Sequence, residues 1–99
     1  MVYRTEPELF IKNADVLKVI AHPQRLCIVK TLCEKDHSTV TDMQECLGEV
    51  QSTVSQHLAK LKAYGIITGK REGTFMYYSI ASDEMRHKLQ AIIKELFQS

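Results

Sequence analysis

STVSQHLAKL, residues 52–61, has the spacing of a helix without the surface of an ordinary one. At about 100° per residue, Val54, Leu58 and Leu61 fall on one side, and Ser52, Ser55, Gln56, Ala59 and Lys60 fall on the other. A helix face that meets only water more often carries Glu and Lys, which favour helix and solubility together. This face is short, uncharged near its N-terminus and rich in hydrogen-bonding groups. It predicts a surface that touches something.

The residues before it sharpen the reading. Asp36-His37-Ser38 reads as a loop, and Thr39 or Thr41 as the N-cap of a short helix that runs through Cys46 and ends at Gly48. Gln51 and Ser52 then open the quoted helix, which continues to Tyr64 and stops at Gly65. Two short helices joined by a Gly-containing turn are the signature of a helix-turn-helix. Further upstream, Pro7 and Pro23 suit first helical turns. Leu9, Phe10, Asn13, Val16, Leu17 and Ile20 recur at helical spacing over 7–20, and Leu26, Ile28, Val29 and Leu32 give the apolar stripe of a helix over 23–35.

Downstream the pattern changes. Ile66-Ile67-Thr68 and Phe75-Met76-Tyr77-Tyr78-Ser79-Ile80 are β-branched and aromatic, and Lys70-Arg71-Glu72-Gly73-Thr74 between them is polar, so the segment predicts a β-hairpin with a basic tip. Ser82 or Asp83 caps a last helix with Met85, Leu89, Ile92, Ile93, Leu96 and Phe97 on its apolar side. The predicted fold is mainly α with a β-hairpin, in the order α-α-α-α-β-β-α. That is a winged helix-turn-helix with added terminal helices. In such a fold the quoted helix enters a major groove about 12 Å wide, where short side chains let its backbone approach base edges and phosphates.

Composition sets the bounds. Ninety-nine residues, 44% of them hydrophobic, predict a single domain over 1–99 with a modest core. No internal repeat, low-complexity tract or linker interrupts it. No run of about 18 apolar residues is present, and MVYRTEPELF lacks the basic-then-apolar order of a signal peptide, so a cytoplasmic protein without a membrane partner is expected. The cysteines number 3, with no CxxC pair, which fits reduced thiols better than a disulfide framework or a standard zinc finger. The net charge of +1 hides a local asymmetry. Residues 34–49 carry Glu34, Asp36, Asp42, Glu45 and Glu49 against Lys35, whereas residues 50–74 carry Lys60, Lys62, Lys70 and Arg71 against Glu72. A basic stripe on one region is the footprint of phosphate contact, whatever the total.

AHPQRLCIVKTL, STVSQHLAKLKAYGIIT and REGTFMYYSI closely resemble the three hallmark segments of the ArsR/SmtB family of bacterial transcriptional repressors, and the resemblance covers roughly residues 14–97. It implies a homodimer, built from the first and last helices, that binds palindromic double-stranded operator DNA and releases it when an inducer binds. Carried over residue by residue, it implies base or phosphate contact by Gln51, Ser52, Thr53, Ser55, Gln56, His57 and Lys60, and backbone contact by the wing residues Lys70, Arg71 and Thr74. The chemistry agrees: Gln56 can read adenine through a paired donor and acceptor, hydroxyls reach phosphates, and each cation adds salt-dependent affinity.

The family's inducer motifs are not matched. Thr39 and Thr41 stand where metal-sensing members carry a CxC-containing motif. In the zinc pattern of the last helix, Asp83 could serve as the first ligand, but Met85, Leu96 and Ser99 fill the remaining places. No metal or cofactor is therefore expected. Thiol-sensing members pair a cysteine of the second helix with one near the end of the last; Cys33 matches the first position, but Phe97 occupies the second. Cys27 lies six residues from Cys33, about 9 Å along a helix axis and beyond disulfide reach. Cys33 and Cys27 are the candidate sensing thiols. A thiol switch, a ligand without a sequence pattern, and regulation by abundance remain, in that order.

Plainer readings stand beside these. Cys46, between Met43 and Leu47, reads as a small core residue, and Cys33 as packing or sensing. Cys27 falls off the stripe of its helix. His22, His37 and His87 read as surface or capping groups, and His57, between the polar and apolar faces, as an orienting group or a DNA contact. Tyr77 and Tyr78 alternate along a strand, one inward and one outward. Catalysis is not expected, because no phosphate-binding Gly loop or paired carboxylates occur and Ser55 cannot face His57 two residues on along a helix. The competing class is a winged helix that binds protein through the same surface, and the local basic stripe favours DNA.

Overall fold

The computed structural model describes residues 1–98. Ser99, named above in the zinc pattern, lies outside the described residues. Pro7 sits in the first turn of α1, Pro7–Ile20, which has Glu8 near its N-terminus and Lys18 near its C-terminus, each favourable to the helix dipole. Val19 and Ile20 reach the core, but Leu9, Phe10, Ile11 and Leu17 are 40–52% exposed. α2, Pro23–Glu34, is capped by His22, whose Nδ1 accepts the Gln24 N–H at 3.1 Å, and it buries Ile28, Val29, Leu32 and Cys33.

The segment read as a loop at Ser38 instead begins a two-residue strand, β1, Ser38–Thr39. It adds to the sheet by pairing Ser38 with Tyr78 and Thr39 with Tyr77. Thr39 doubles as the N-cap of α3, Val40–Leu47, its Oγ1 accepting the Asp42 N–H at 3.2 Å. Gly48 ends α3 at φ 65°, a left-handed conformation that L side chains enter only with strain, and so turns the chain into α4, Gln51–Ala63. The hairpin is β2, Ile67–Glu72, and β3, Phe75–Ile80, registered from Ile67 opposite Ile80 to Glu72 opposite Phe75. The strand order is β1-β3-β2. Ser82 caps α5, Asp83–Phe97, through a 3.1 Å bond from the Met85 N–H.

The core lies where α2, α4, α5 and the sheet converge. Val29, Leu32, Val54, Leu61 and Ile66 are wholly buried there, and full burial of a side chain of this size stabilises a fold by about 1.5–3 kcal/mol. Ile66 lies outside the strand, but its carbonyl accepts the Ala81 N–H at 3.0 Å and ties the hairpin's two ends together. The arrangement is a winged helix-turn-helix.

Three further expectations are corrected. Cys46 is exposed, not core. Met43 is the buried residue of α3 and Val40 and Leu47 pack partly beside it, all on one flank, while Cys46 falls about 60° round on the other. Tyr77 and Tyr78 do not divide into inside and outside; both are half-buried. Tyr78 packs on the core, while the ring of Tyr77 on the other face meets the His37 ring edge-on at 5.0 Å between centroids. Finally, β2 extends through Glu72, so the basic residues sit on a strand rather than in the turn.

Candidate nucleic-acid interface

α4 buries Val54, Leu58 and Leu61 and turns Gln51, Ser52, Ser55, Gln56 and Lys60 to the outside; Thr53 is half-buried. Its N-terminus is unusual for an exposed helix. The N-cap is Val50, no side chain caps it, and no acidic residue stands in the first turn, while Lys60 and Lys62 lie in the last. The first backbone N–H groups of a helix have no partner within it and carry the positive end of the dipole, so this end presents donors and partial positive charge beside the Ser and Gln side chains. Phosphate is the chemistry such an end suits.

His57 keeps different company. It is half-buried, with Nε2 2.9 Å from Gln24 Oε1 and Nδ1 3.5 Å from Arg25 Nη1, and its ring centroid is 4.7 Å from that of His22. Gln24 Nε2 in turn donates to Glu49 Oε2 at 3.1 Å, and Glu49 Oε1 accepts the Val50 N–H at 3.0 Å. Burial, then His22 and Arg25, hold the His57 pKa below the ordinary imidazole value, with Glu49 opposing them. The bonds from Gln24 and Val50 hold the Glu49 carboxyl below its ordinary range. Sequence reasoning missed Gln24, Arg25 and Glu49 as site residues, because their partners lie up to 33 positions away. The only signal was the His22-Pro23-Gln24-Arg25 run itself.

In the wing, Gly73 at φ 62° makes the turn, and Lys70, Arg71 and Thr74 are exposed. Lys70 Nζ is 3.7 Å from Glu72 Oε1, so part of its charge is answered within the wing. Arg71, opposite Met76, has no ion pair among the described residues.

The thiols lie on α2 and α3. Cys33 is 9% exposed and burial pushes its pKa up, with Arg86 pulling the other way. Cys27 is half-buried, and its pKa is raised by burial and by the neighbouring Cys46 thiol of α3. No group of three or more His, Cys, Asp or Glu placed to hold a metal ion occurs among the described residues, and none of their helices is long and apolar enough to cross a membrane. An open cleft of about 280 Å³ lies between α1 and α5, floored by Val16, Leu17, Met85, Leu89 and Ile92.

The family model for bacterial regulatory proteins of the arsR family matches residues 22–68, from the cap of α2 into β2. The transcriptional repressor PagR of Bacillus anthracis is 40% identical over 84 residues, 85% of this chain and 80% of its own length. Among solved structures, reduced HlyU from Vibrio cholerae superposes with a TM-score of 0.85 at 26% identity, covering 99% of this chain and 100% of that one. The homodimeric winged helix-turn-helix DNA-binding domain of a possible ArsR-family regulator from Mycobacterium bovis superposes with a TM-score of 0.81 at 26% identity, covering 95% and 90%.

Proposed function

The chain belongs to the ArsR family of bacterial regulatory proteins, and from that premise we propose that it is a cytoplasmic, non-enzymatic transcriptional repressor that works as a homodimer on a pseudo-palindromic DNA operator. The observation that carries the reading is α4: an exposed row of Gln51, Ser52, Ser55, Gln56 and Lys60 beside a helix N-terminus that no side chain caps. Thr53 supports the row from its edge, and Lys70, Arg71 and Thr74 of the wing add backbone contacts.

Residues 1–99 act as one unit whose terminal helices pair with a second copy. Leu9, Phe10, Ile11 and Leu17 of α1 and Leu96 and Phe97 of α5 are 40–62% exposed, more apolar surface than a chain this small leaves to water without a partner. A two-fold dimer sets two recognition helices in successive major grooves, about 34 Å apart. Thiol chemistry belongs to the same proposal as the route to derepression. Cys27, partly exposed and beside Cys46, is better placed for it than the buried Cys33.

The test is Ser55→Ala combined with Gln56→Ala, read by fluorescence anisotropy on DNA from upstream of the gene and on an unrelated duplex. The double variant is expected to lose its preference for the operator while its helix content and dimer mass stay unchanged. Retained preference overturns the assignment of α4.

A further inference from the structure

We propose that Gln24, in the first turn of α2, is the positioning residue of the recognition helix: its one side-chain amide holds both His57 on α4 and Glu49 in the turn before α4. The proposal deepens the DNA-binding reading and rests on it.

The hydrogen-bond roles leave one assignment. A carboxylate only accepts, so the amide NH₂ of Gln24 must face Glu49 at 3.1 Å and its oxygen must face His57 at 2.9 Å. His57 Nε2 therefore carries a hydrogen. Nδ1 is then left with its lone pair toward Arg25 Nη1, a donor at 3.5 Å, and that contact fits a neutral ring and opposes a proton on Nδ1. The surroundings agree: burial, His22 and Arg25 all disfavour the charged ring, and only Glu49 favours it. Arg25 is itself held, its Nε donating to the Val19 carbonyl at 2.6 Å, and the Gln24 N–H donates to His22 Nδ1. Gln24, His57 and Glu49 are thus joined in one chain of hydrogen bonds.

The two ends of this amide reach α4 at different places. Glu49 passes its hold to the Val50 N–H at the N-cap, and His57 lies in the second turn. One contact alone is a pivot about which a helix can roll. Two contacts fix the roll, and because each residue turns the helix by about 100°, small rolls re-aim Ser52, Ser55 and Gln56 relative to a base edge. Gln24 thus acts on base reading without touching DNA, and His57 adjoins Gln56 as an orienting group.

Base reading needs the correct roll, whereas phosphate attraction tolerates a misplaced helix, so a positioning role and a merely structural one separate experimentally. Wild-type protein would be used to enrich a duplex from a randomised pool. Wild type, Gln24→Leu and Gln24→Glu would then be titrated by anisotropy on that duplex and on a scrambled one, with dimer mass and thermal midpoint measured alongside. The His57 tautomer would be read from imidazole ¹⁵N shifts.

Gln24→Leu removes both bonds. It is expected to weaken binding to the enriched duplex by about tenfold, the scale of one to two lost hydrogen bonds, with the scrambled duplex and its salt dependence unchanged. Gln24→Glu keeps an acceptor for His57 but sets a second carboxylate against Glu49; it is expected to lose preference in the same direction, and it carries the test if the leucine variant does not fold. A preference indifferent to both substitutions, or a wild-type His57 with its proton on Nδ1, overturns this proposal alone. A wild-type chain that enriches no duplex overturns the DNA-binding reading, and this proposal with it.

Discussion

Arg86 Nη1, on α5, donates to the main-chain oxygen of Leu32 at 2.8 Å and lies 3.4–3.5 Å from those of Lys35 and Cys33. Those are the last carbonyls of α2, which a helix leaves without partners, and they form the negative end of its dipole. Gln90 Nε2 adds a bond to Cys33 O at 3.1 Å. Arg86→Met keeps the aliphatic stem and deletes the cation. A charge-assisted hydrogen bond of this kind contributes about 1.5–3 kcal/mol, so the variant is expected to unfold at visibly lower urea, checked at one fixed protein concentration because dimerisation links stability to concentration.

Ser38 presents the opposite case. Its Oγ is buried, with the residue 3% exposed, and has no hydrogen-bond partner among the described residues. A buried hydroxyl without a partner costs free energy that its removal recovers. Ser38→Ala is therefore expected to stabilise the protein by up to about 1 kcal/mol, seen as a rise in thermal midpoint. A fall of similar size would mean that the hydroxyl is satisfied in solution.

How far the sequence carried depends on whether a feature was local. Period and punctuation were enough for the helices: α1 matches the expected 7–20, and α2 and α4 each end one residue before the expected limit. The exposed row of α4 was legible for the same reason. β1 was not, because a two-residue strand has no period, and only its pairing with Tyr77 and Tyr78 defines it. The length of β2 was misjudged because Lys70, Arg71 and Glu72 are polar, whereas their strand conformation is set by the ladder to β3. Gln24, Arg25 and Glu49 were invisible as partners of α4, and so was the contact of Cys27 with Cys46, since each depends on packing between separate elements.

The wing predicts an asymmetry between its cations. Glu72 draws on Lys70 at 3.7 Å and stands in a surface proposed to face phosphate. Glu72→Gln is expected to strengthen DNA binding and steepen its salt dependence. Arg71→Ala should weaken binding on all duplexes alike and reduce the slope of log affinity against log salt by about 0.9, the loss of one phosphate contact. Titrations across a salt series decide both.

Thiol reactivity follows thiolate fraction and access. Cys46 is exposed, Cys27 is half-buried with its pKa raised, and Cys33 is buried with its pKa raised. Iodoacetamide at neutral pH is expected to label Cys46 first, Cys27 next and Cys33 last. Mass spectrometry of digests over time gives the order. Rapid labelling of Cys33 in the folded dimer would contradict its placement against α5.

The His57 cluster contributes to the acid limb of stability. A histidine whose folded pKa is depressed binds fewer protons folded than unfolded over the interval between its two pKa values, so stability rises with pH across that interval. Its contribution is complete above the ordinary imidazole value of about 6.5 and falls as pH drops below it, until the depressed folded value is passed. Glu49, also depressed, adds a second loss at lower pH, from the ordinary carboxylate range down to its folded value. The wild type is therefore expected to lose stability between pH 6.5 and 5 faster than His57→Gln, which keeps an N–H donor for Gln24 but has no titrating ring. Urea midpoints of the two proteins across that range isolate His57, because every other group is common to both. Parallel curves would mean that His57 protonates as easily folded as unfolded, and that burial with His22 and Arg25 does not hold it neutral.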